Sequence, residues 1–562
     1  MKKIIHTLVL ACFLTCFMAC NDLEQAPTNK FTDAEYWTSA DRAILVMNMA
    51  YNQMYNAGKM WTDEALSDNL IEVRGNPSTT IIRKGQANPS TTIFKDEWQW
   101  LFEGIKTTNV FMANVDLVPN LDATVATRMK AEIRFIRAYL FFRMSNFYGD
   151  IPFFLEDIDV AGSKTIRRTP RAQVLAALHT ELDEVIPVLP KKEELPAAER
   201  GRITKAAAMM LKIRLYLMQG DMPKVEQYCG MLINNQSEYG AYRLFTTATE
   251  HFSAYENLFA SAYEYNDEVI LDYTYVTLDK IWQDFIDMVP PSVTGYRVTG
   301  KTPTQSLVDS YIMLTSGLPV RGPNTKPTPY DSDPSYNDNP NTMYTGRDPR
   351  LAATVVYHGA TWKDKNTSGA YVEQTINITP GSGENAYGGD GGENRTQTGY
   401  YIRKWFDVDH GLDLRMHNNI IMMRYADVLL MYAEACERNG TFTEDVWNKT
   451  IRPIRERAGF TTAAVLDYPG TTNLREIIRR ERRCELALEG LRYYDLIRWG
   501  SDPEGTFNLL NGTVYGAKMA NALTDYIRVE TFKYTANRDE WWSLPQDDIN
   551  KTPTLLPNNP GY

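Results

Sequence analysis

Apolar residues recur at helical spacing in two separate blocks of this 562-residue chain, and the long stretch between the blocks carries no such period. In AEIRFIRAYLFFRMSNFYGD (131–150), Ile133, Ile136, Leu140 and Phe147 follow one another at three-, four- and seven-residue steps. That is the spacing of a helix with one buried face. Phe135, Tyr139 and Phe142 broaden the face, and Gly149 with Pro152 ends it. GRITKAAAMMLKIRLYLMQGDMPKVEQYCGMLI (201–233) reads as a helix, a Gly220-Asp221 turn and a second helix, and RYADVLLMYAEACERNG (424–440) repeats the logic up to Gly440. Such pairs look like degenerate tetratricopeptide units, which bury both faces only by stacking.

The middle, from about Glu238 to His417, is rich in Gly, Pro, Asn, Asp, Thr and Tyr. It predicts irregular loops with a few short strands, at EVILDYTYV (268–276) and LAATVVYH (351–358). GSGENAYGGDGGEN (381–394) reads as a flexible acidic loop. Glu384, Asp390 and Glu393 could hold a calcium ion there, but the fixed ligand spacing of a calcium loop is missing, so no cofactor is expected. NPSTTI at Asn76 recurs at Asn88, which suggests a hairpin of two Thr-rich arms.

Met1 to Cys20 begins with Lys2 and Lys3, continues with an apolar run too short for a comfortable membrane span, and turns polar at once after Cys20. The run has the shape of a secretory signal over 1–19, and its end resembles a bacterial lipobox, which would make Cys20 the lipid anchor. The three cysteines outside this segment, Cys229, Cys436 and Cys484, are odd in number and widely spaced. They predict small buried hydrophobes, neither a disulfide framework nor a zinc site.

A formal charge of −11 offers no basic surface and excludes a nucleic-acid partner. The chain has no GxSxG, GxxxxGK[ST], HExxH or CxxC motif, and its six histidines are scattered. With 70 acidic residues, counting carboxylates neither supports nor opposes a paired-carboxylate glycosidase. No catalytic residue is assigned.

Together the motifs resemble one family. AEIRFIRAYLFFRMSNFYGDIPFF (131–154), TPTQSLVDSYIMLTSGLPV (302–320), TGYYIRKWFD (398–407), LREIIRRERRCELALEGLRYYDLIRWG (474–500) and the ending from Trp541 are similar, in order, to the SusD/RagB family of Bacteroidetes outer-membrane lipoproteins. One departure is Pro453, where the family usually continues a helix.

The resemblance implies a mostly α, SusD-like fold of tetratricopeptide-like helix pairs, with a large loop-rich portion and a few short strands. It divides the chain into a signal peptide (1–19), an N-terminal helical region (20–237), an irregular ligand-facing region (238–417), C-terminal helices (418–500) and a closing segment (501–562). It implies a non-enzymatic protein, lipid-anchored at the outer-membrane surface, that captures oligosaccharides for a SusC-like TonB-dependent transporter. A peptide-capturing RagB-like protein is the alternative, and a glycosidase a remote one.

Ligand residues vary within that family, so candidates come from composition alone. Sugars need flat aromatic platforms with planar polar groups at the edges. Two regions supply both: 61–100, with Asp63, Asp68, Asn69 and Arg83, and 263–296, with Tyr273 and Tyr275. The candidates are Trp61, Arg74, Trp100, Trp282 and Tyr296. By contrast Glu481, Arg482, Glu485, Glu489, Arg492 and Asp495 read as structural ion pairs between helices.

Overall fold

The stripe read at 131–150 belongs to a helix from Ala123 to Tyr148, opened by the Asp122 carboxylate accepting from the N–H groups of Thr124 and Val125 and closed at Gly149, with φ +70°. The structure is a computed structural model and describes residues 36–72, 74, 77–295, 300–323, 332–388, 395–500, 510–519 and 525–562. The signal-like run, Cys20, Tyr296 and the Asp390 and Glu393 carboxylates lie outside the described residues.

Ala123–Tyr148 packs between Thr92–Asn114 and Arg171–Val185, and the stack continues through Lys205–Gln219 to Met222–Asn234. The last pair is joined as expected: Gly220 closes one helix at φ +75°, and Asp221 caps the next by accepting from the Lys224 N–H. Met222–Asn234 then packs along Tyr425–Asn439, which packs on Leu474–Glu485. The two helical blocks therefore form one stack, and the loop-rich middle leaves and re-enters between neighbouring helices. Neither Pro453 nor its neighbours disrupt the stack. The chain breaks at Thr450, so that Pro453 falls in the first turn of Ile451–Ala458, where its missing N–H has no helical partner to lose.

Among the described residues, ten short strands form five two-stranded antiparallel ribbons. β1 (Leu70–Glu72) pairs with β3 (Lys301–Pro303), and β2 (Val269–Tyr273) with β8 (Ile420–Arg424). β4 (Val355–Val356) pairs with β7 (Tyr401–Ile402), β5 (Thr361–Lys365) with β6 (Tyr371–Thr375), and β9 (Gly512–Lys518) with β10 (Tyr526–Phe532). Two strands alone are marginal in water. Here the β2–β8 ribbon packs on Lys205–Gln219 and Tyr425–Asn439.

Two local expectations are corrected. The Pro-Ser-Thr-Thr segments lead into helices, Ser78–Arg83 and Thr92–Asn114: Pro77 is itself the extended residue ahead of the first, and Thr91, two residues after Pro89, is the extended residue ahead of the second. Residues 350–354 form a helix before β4, since the Asp348 carboxylate accepts from the Arg350 N–H at 3.0 Å.

Of the 474–500 motif, Glu481, Arg482, Glu485, Glu489, Arg492 and Asp495 are buried and paired. Glu485 bonds Arg424 at 2.7 Å and Arg350 at 3.0 Å and also pairs with Arg457, while Glu489 bonds Arg424 at 2.7 Å and Lys404 at 2.6 Å. Glu268, just before β2, closes the network on Arg424 at 2.7 Å and Arg457 at 2.9 Å. Near the C-terminus, Trp542 stacks on Phe147 at 4.0 Å, and Asn559 donates to the Tyr148 carbonyl at 2.9 Å. Cys229, Cys436 and Cys484 are free and buried.

Candidate ligand-binding face

The two aromatic-rich regions meet. β1 of the first pairs with β3, which follows the second, and beneath them the Trp61 ring meets Phe285 at 6.0 Å while Trp282 meets the same ring at 5.2 Å. Their exposure corrects the expected roles. Trp61 is 0% and Trp282 4% exposed, and the Trp282 indole N–H donates to the Asn418 carbonyl at 3.0 Å. Both rings are floor, with no face open to a sugar. Trp100 is half-buried, with the Lys59 ammonium 4.9 Å from its ring centre, and Arg74 is exposed. Asp63, Asp68, Asn69 and Arg83 are consumed by structure: Asp63 bonds Arg143 at 2.6 Å, Asp68 bonds Arg492 at 2.8 Å, Asn69 accepts from Arg483 at 2.7 Å, and Arg83 bonds Glu530 at 2.9 Å.

Above this floor lies a polar rim, of which composition named only Arg74. Lys301 of β3 bonds Glu72 of β1 at 3.2 Å, and the Thr79 hydroxyl donates to the other oxygen of Glu72 at 3.1 Å. The short turn Asp284–Asp287 brings two more carboxyls within electrostatic range of Lys301. Burial pushes Asp287 up to about 6; Lys301 opposes the shift, while Asp284 and Glu72 add to it. One Asp287 oxygen is sealed from solvent without a hydrogen-bond donor. Arg74 adds an exposed cation to the same field. Adjacent acceptors, an ammonium and a guanidinium can meet the alternating donors and acceptors of a polyhydroxylated ligand. In the sequence these residues fall in three separate stretches, 72–79, 284–287 and 301, with no spacing to connect them.

The Asp284–Asp287 turn also borders a cavity of about 470 Å³, walled by Ile286, Val293 and Thr294 on one side and by Lys365, Asn366 and residues 408–414 on the other. This volume is within the range of small-molecule sites. The far wall is held rigidly. Trp282 and Met416 exchange backbone hydrogen bonds at 3.0 and 2.9 Å, and Gly411 and Arg415 close the loop between them. Asp413 and Leu414 sit at φ +56° and +54°, left-handed values that cost free energy for such residues and mark a tightly specified loop. His410 faces Asp364 at 3.3 Å and the Gly411 carbonyl at 2.8 Å. Burial opposes its charge, but these two acceptors prevail and hold the imidazole above its ordinary pKa. Among the described residues no group of three or more His, Cys, Asp or Glu is placed to hold a metal ion.

Residues 259–562 match the model of the SusD family, and residues 23–217 match a model described as starch-binding, associating with the outer membrane. A SusD-like protein of Formosa agariphila is 25% identical over 524 residues, covering 88% of this chain and 90% of its own. The crystal structure of a SusD-like carbohydrate-binding protein from Bacteroides fragilis superposes with a TM-score of 0.78 at 24% identity, covering 93% of this chain and all of that one. A laminarin-binding SusD-like protein superposes at 0.64 with 19% identity, covering 94% of this chain and all of its own. At these identities the two structures establish the helical, tetratricopeptide-like fold.

Proposed function

From the chain's membership of the SusD family, we propose that it is a glycan-binding lipoprotein of the outer-membrane surface. Anchored through a lipidated Cys20, it captures an oligosaccharide and passes it to a SusC-like TonB-dependent transporter. The observation that carries this reading is the convergence of Glu72, Arg74, Asp284, Asp287 and Lys301 on one rim, whose Asp284–Asp287 turn reaches a cavity of about 470 Å³ through Ile286. Carboxylates, an ammonium and a guanidinium cluster there, the kinds of group that recognise sugar hydroxyls. Relatives whose names record starch, laminarin or carbohydrate binding support the same ligand class. Trp100, under Lys59 at the surface, remains the candidate ring platform.

The test is calorimetric titration of the purified chain with starch, laminarin, xylan, mannan, polygalacturonate and alginate, and in parallel with a mixed peptide digest. Saturable binding of a glycan and none of peptide is the expected result. Peptide binding with every glycan silent would replace this reading with the RagB-like one, and release of reducing ends from any polysaccharide would replace it with an enzyme.

A further inference from the structure

The cavity beside His410 does not end at the Lys365–Asp409 ion pair. Lys365, Val408 and Asp409 also line a second depression of about 250 Å³, walled by Phe252, Glu256, Tyr263, Tyr371, Arg403 and Asp407. One wall is the β5–β6 ribbon, anchored through Trp362, which is 1% exposed and meets Phe406 at 4.5 Å. On the other strand Tyr371 is 40% exposed, and its ring lies 3.8 Å from the His251 imidazole.

Arg403 is the unusual group. It is only 7% exposed and lies over the rings of Trp362 at 4.7 Å, Phe406 at 5.2 Å and Phe252 at 5.5 Å. Among the described residues its guanidinium makes one hydrogen bond, from Nη1 to the Lys363 carbonyl at 2.9 Å, and no ion pair. The Arg403 N–H groups without a protein acceptor are not sealed from solvent, so they are open to acceptors on a ligand in the depression. The lining also carries carboxylates with lone pairs to spare. Glu256 accepts from the Ser253 N–H and hydroxyl at 2.9 and 2.8 Å, and Asp407 from the N–H groups of Ser261 and Asp409 at 2.8 and 3.0 Å. The remaining cation in the lining, Lys404, turns its ammonium away to Glu489 at 2.6 Å. Three carboxylates thus face Arg403 and Lys365. The charge balance disfavours an anionic ligand, while the mixture of donors and acceptors suits hydroxyl groups.

We propose that this depression is a second saccharide subsite, continuous with the first across the Lys365–Asp409 pair, that takes an uncharged sugar unit of the same chain. Arg403 donates to the sugar's oxygens, and Tyr371 covers its C–H face. The inference rests on the glycan reading above and deepens it: the preferred ligand is a neutral oligosaccharide long enough to fill both depressions. Once one end is held in the first, the other meets the second at high effective concentration.

The test uses the purified full chain and the polysaccharide from the panel that it binds most tightly, cut into fragments of two and of eight sugar units. Tyr371→Ala should weaken the eight-unit fragment about tenfold, the loss of one stacked ring, and leave the two-unit fragment unchanged. Arg403→Gln should act in the same direction, with its melting curve showing that it folds; should it fail to fold, exposed Tyr371 still decides. Equal binding of the long fragment by wild type and Tyr371→Ala would overturn the second subsite while leaving glycan capture standing. A preference for polygalacturonate or alginate over every neutral glycan would overturn the ligand class. Silence of the wild type toward all glycans would remove the underlying reading, and this inference with it.

Discussion

Asp287 and Gly300 are locked together at the base of the rim. The Gly300 N–H donates to the Asp287 carbonyl at 2.7 Å, and a Cβ at position 300 would stand 2.6 Å from the Asp287 carboxylate. Gly300→Ala should therefore swing that carboxylate out of place at small cost to the fold, because the side chain can turn toward solvent. Glycan affinity is expected to fall about tenfold with the melting temperature nearly unchanged, read by calorimetry and thermal unfolding. Unchanged affinity would remove Asp287 from the site.

Glu485 holds Arg350, Arg424 and Arg457 at once, all of them buried. Those three arginines hold its carboxyl well below the usual carboxylate range despite burial. Glu485→Ala strands several charges in the interior and should destabilise the fold by about 3–5 kcal/mol in urea titration. Whatever fraction still folds should bind glycan as the wild type does, because the network lies in the core.

Asp272 is buried, with one oxygen accepting from Asn419 at 2.8 Å and the other without a donor. Burial pushes it up to about 6. Folding therefore takes up a proton between about pH 4 and 6, so this group's contribution to stability falls as pH rises through that window. Asp272→Asn carries no charge and should exceed the wild type by up to about 3 kcal/mol above pH 6, the gap closing toward pH 4. Unfolding curves across that range check the sign.

The helices, their glycine ends and the loop-rich middle were legible in the sequence because each depends on local periodicity and on residues such as Gly149, Gly220 and Gly440 that act where they stand. The site was only half legible. The regions holding Trp61 and Trp282 do converge, yet composition cannot separate a ring that packs from a ring that is displayed, and both tryptophans went to the core through Phe285. Glu72, Asp287 and Lys301 carry no joint signal because they meet only through the pairing of β1 with β3, residues more than two hundred positions apart. Arg403 gave no signal either, since its stacking on Trp362, Phe406 and Phe252 exists only in three dimensions.

Hydrogen exchange of the purified chain, with and without the tightest-binding polysaccharide of the panel, tests capture by this face most directly. The account predicts slowed exchange in 284–295, 300–303 and 405–415, with the helices Lys205–Gln219 and Met222–Asn234 unchanged. Protection on those helices with the face unaltered, or no protection by any glycan, would contradict it.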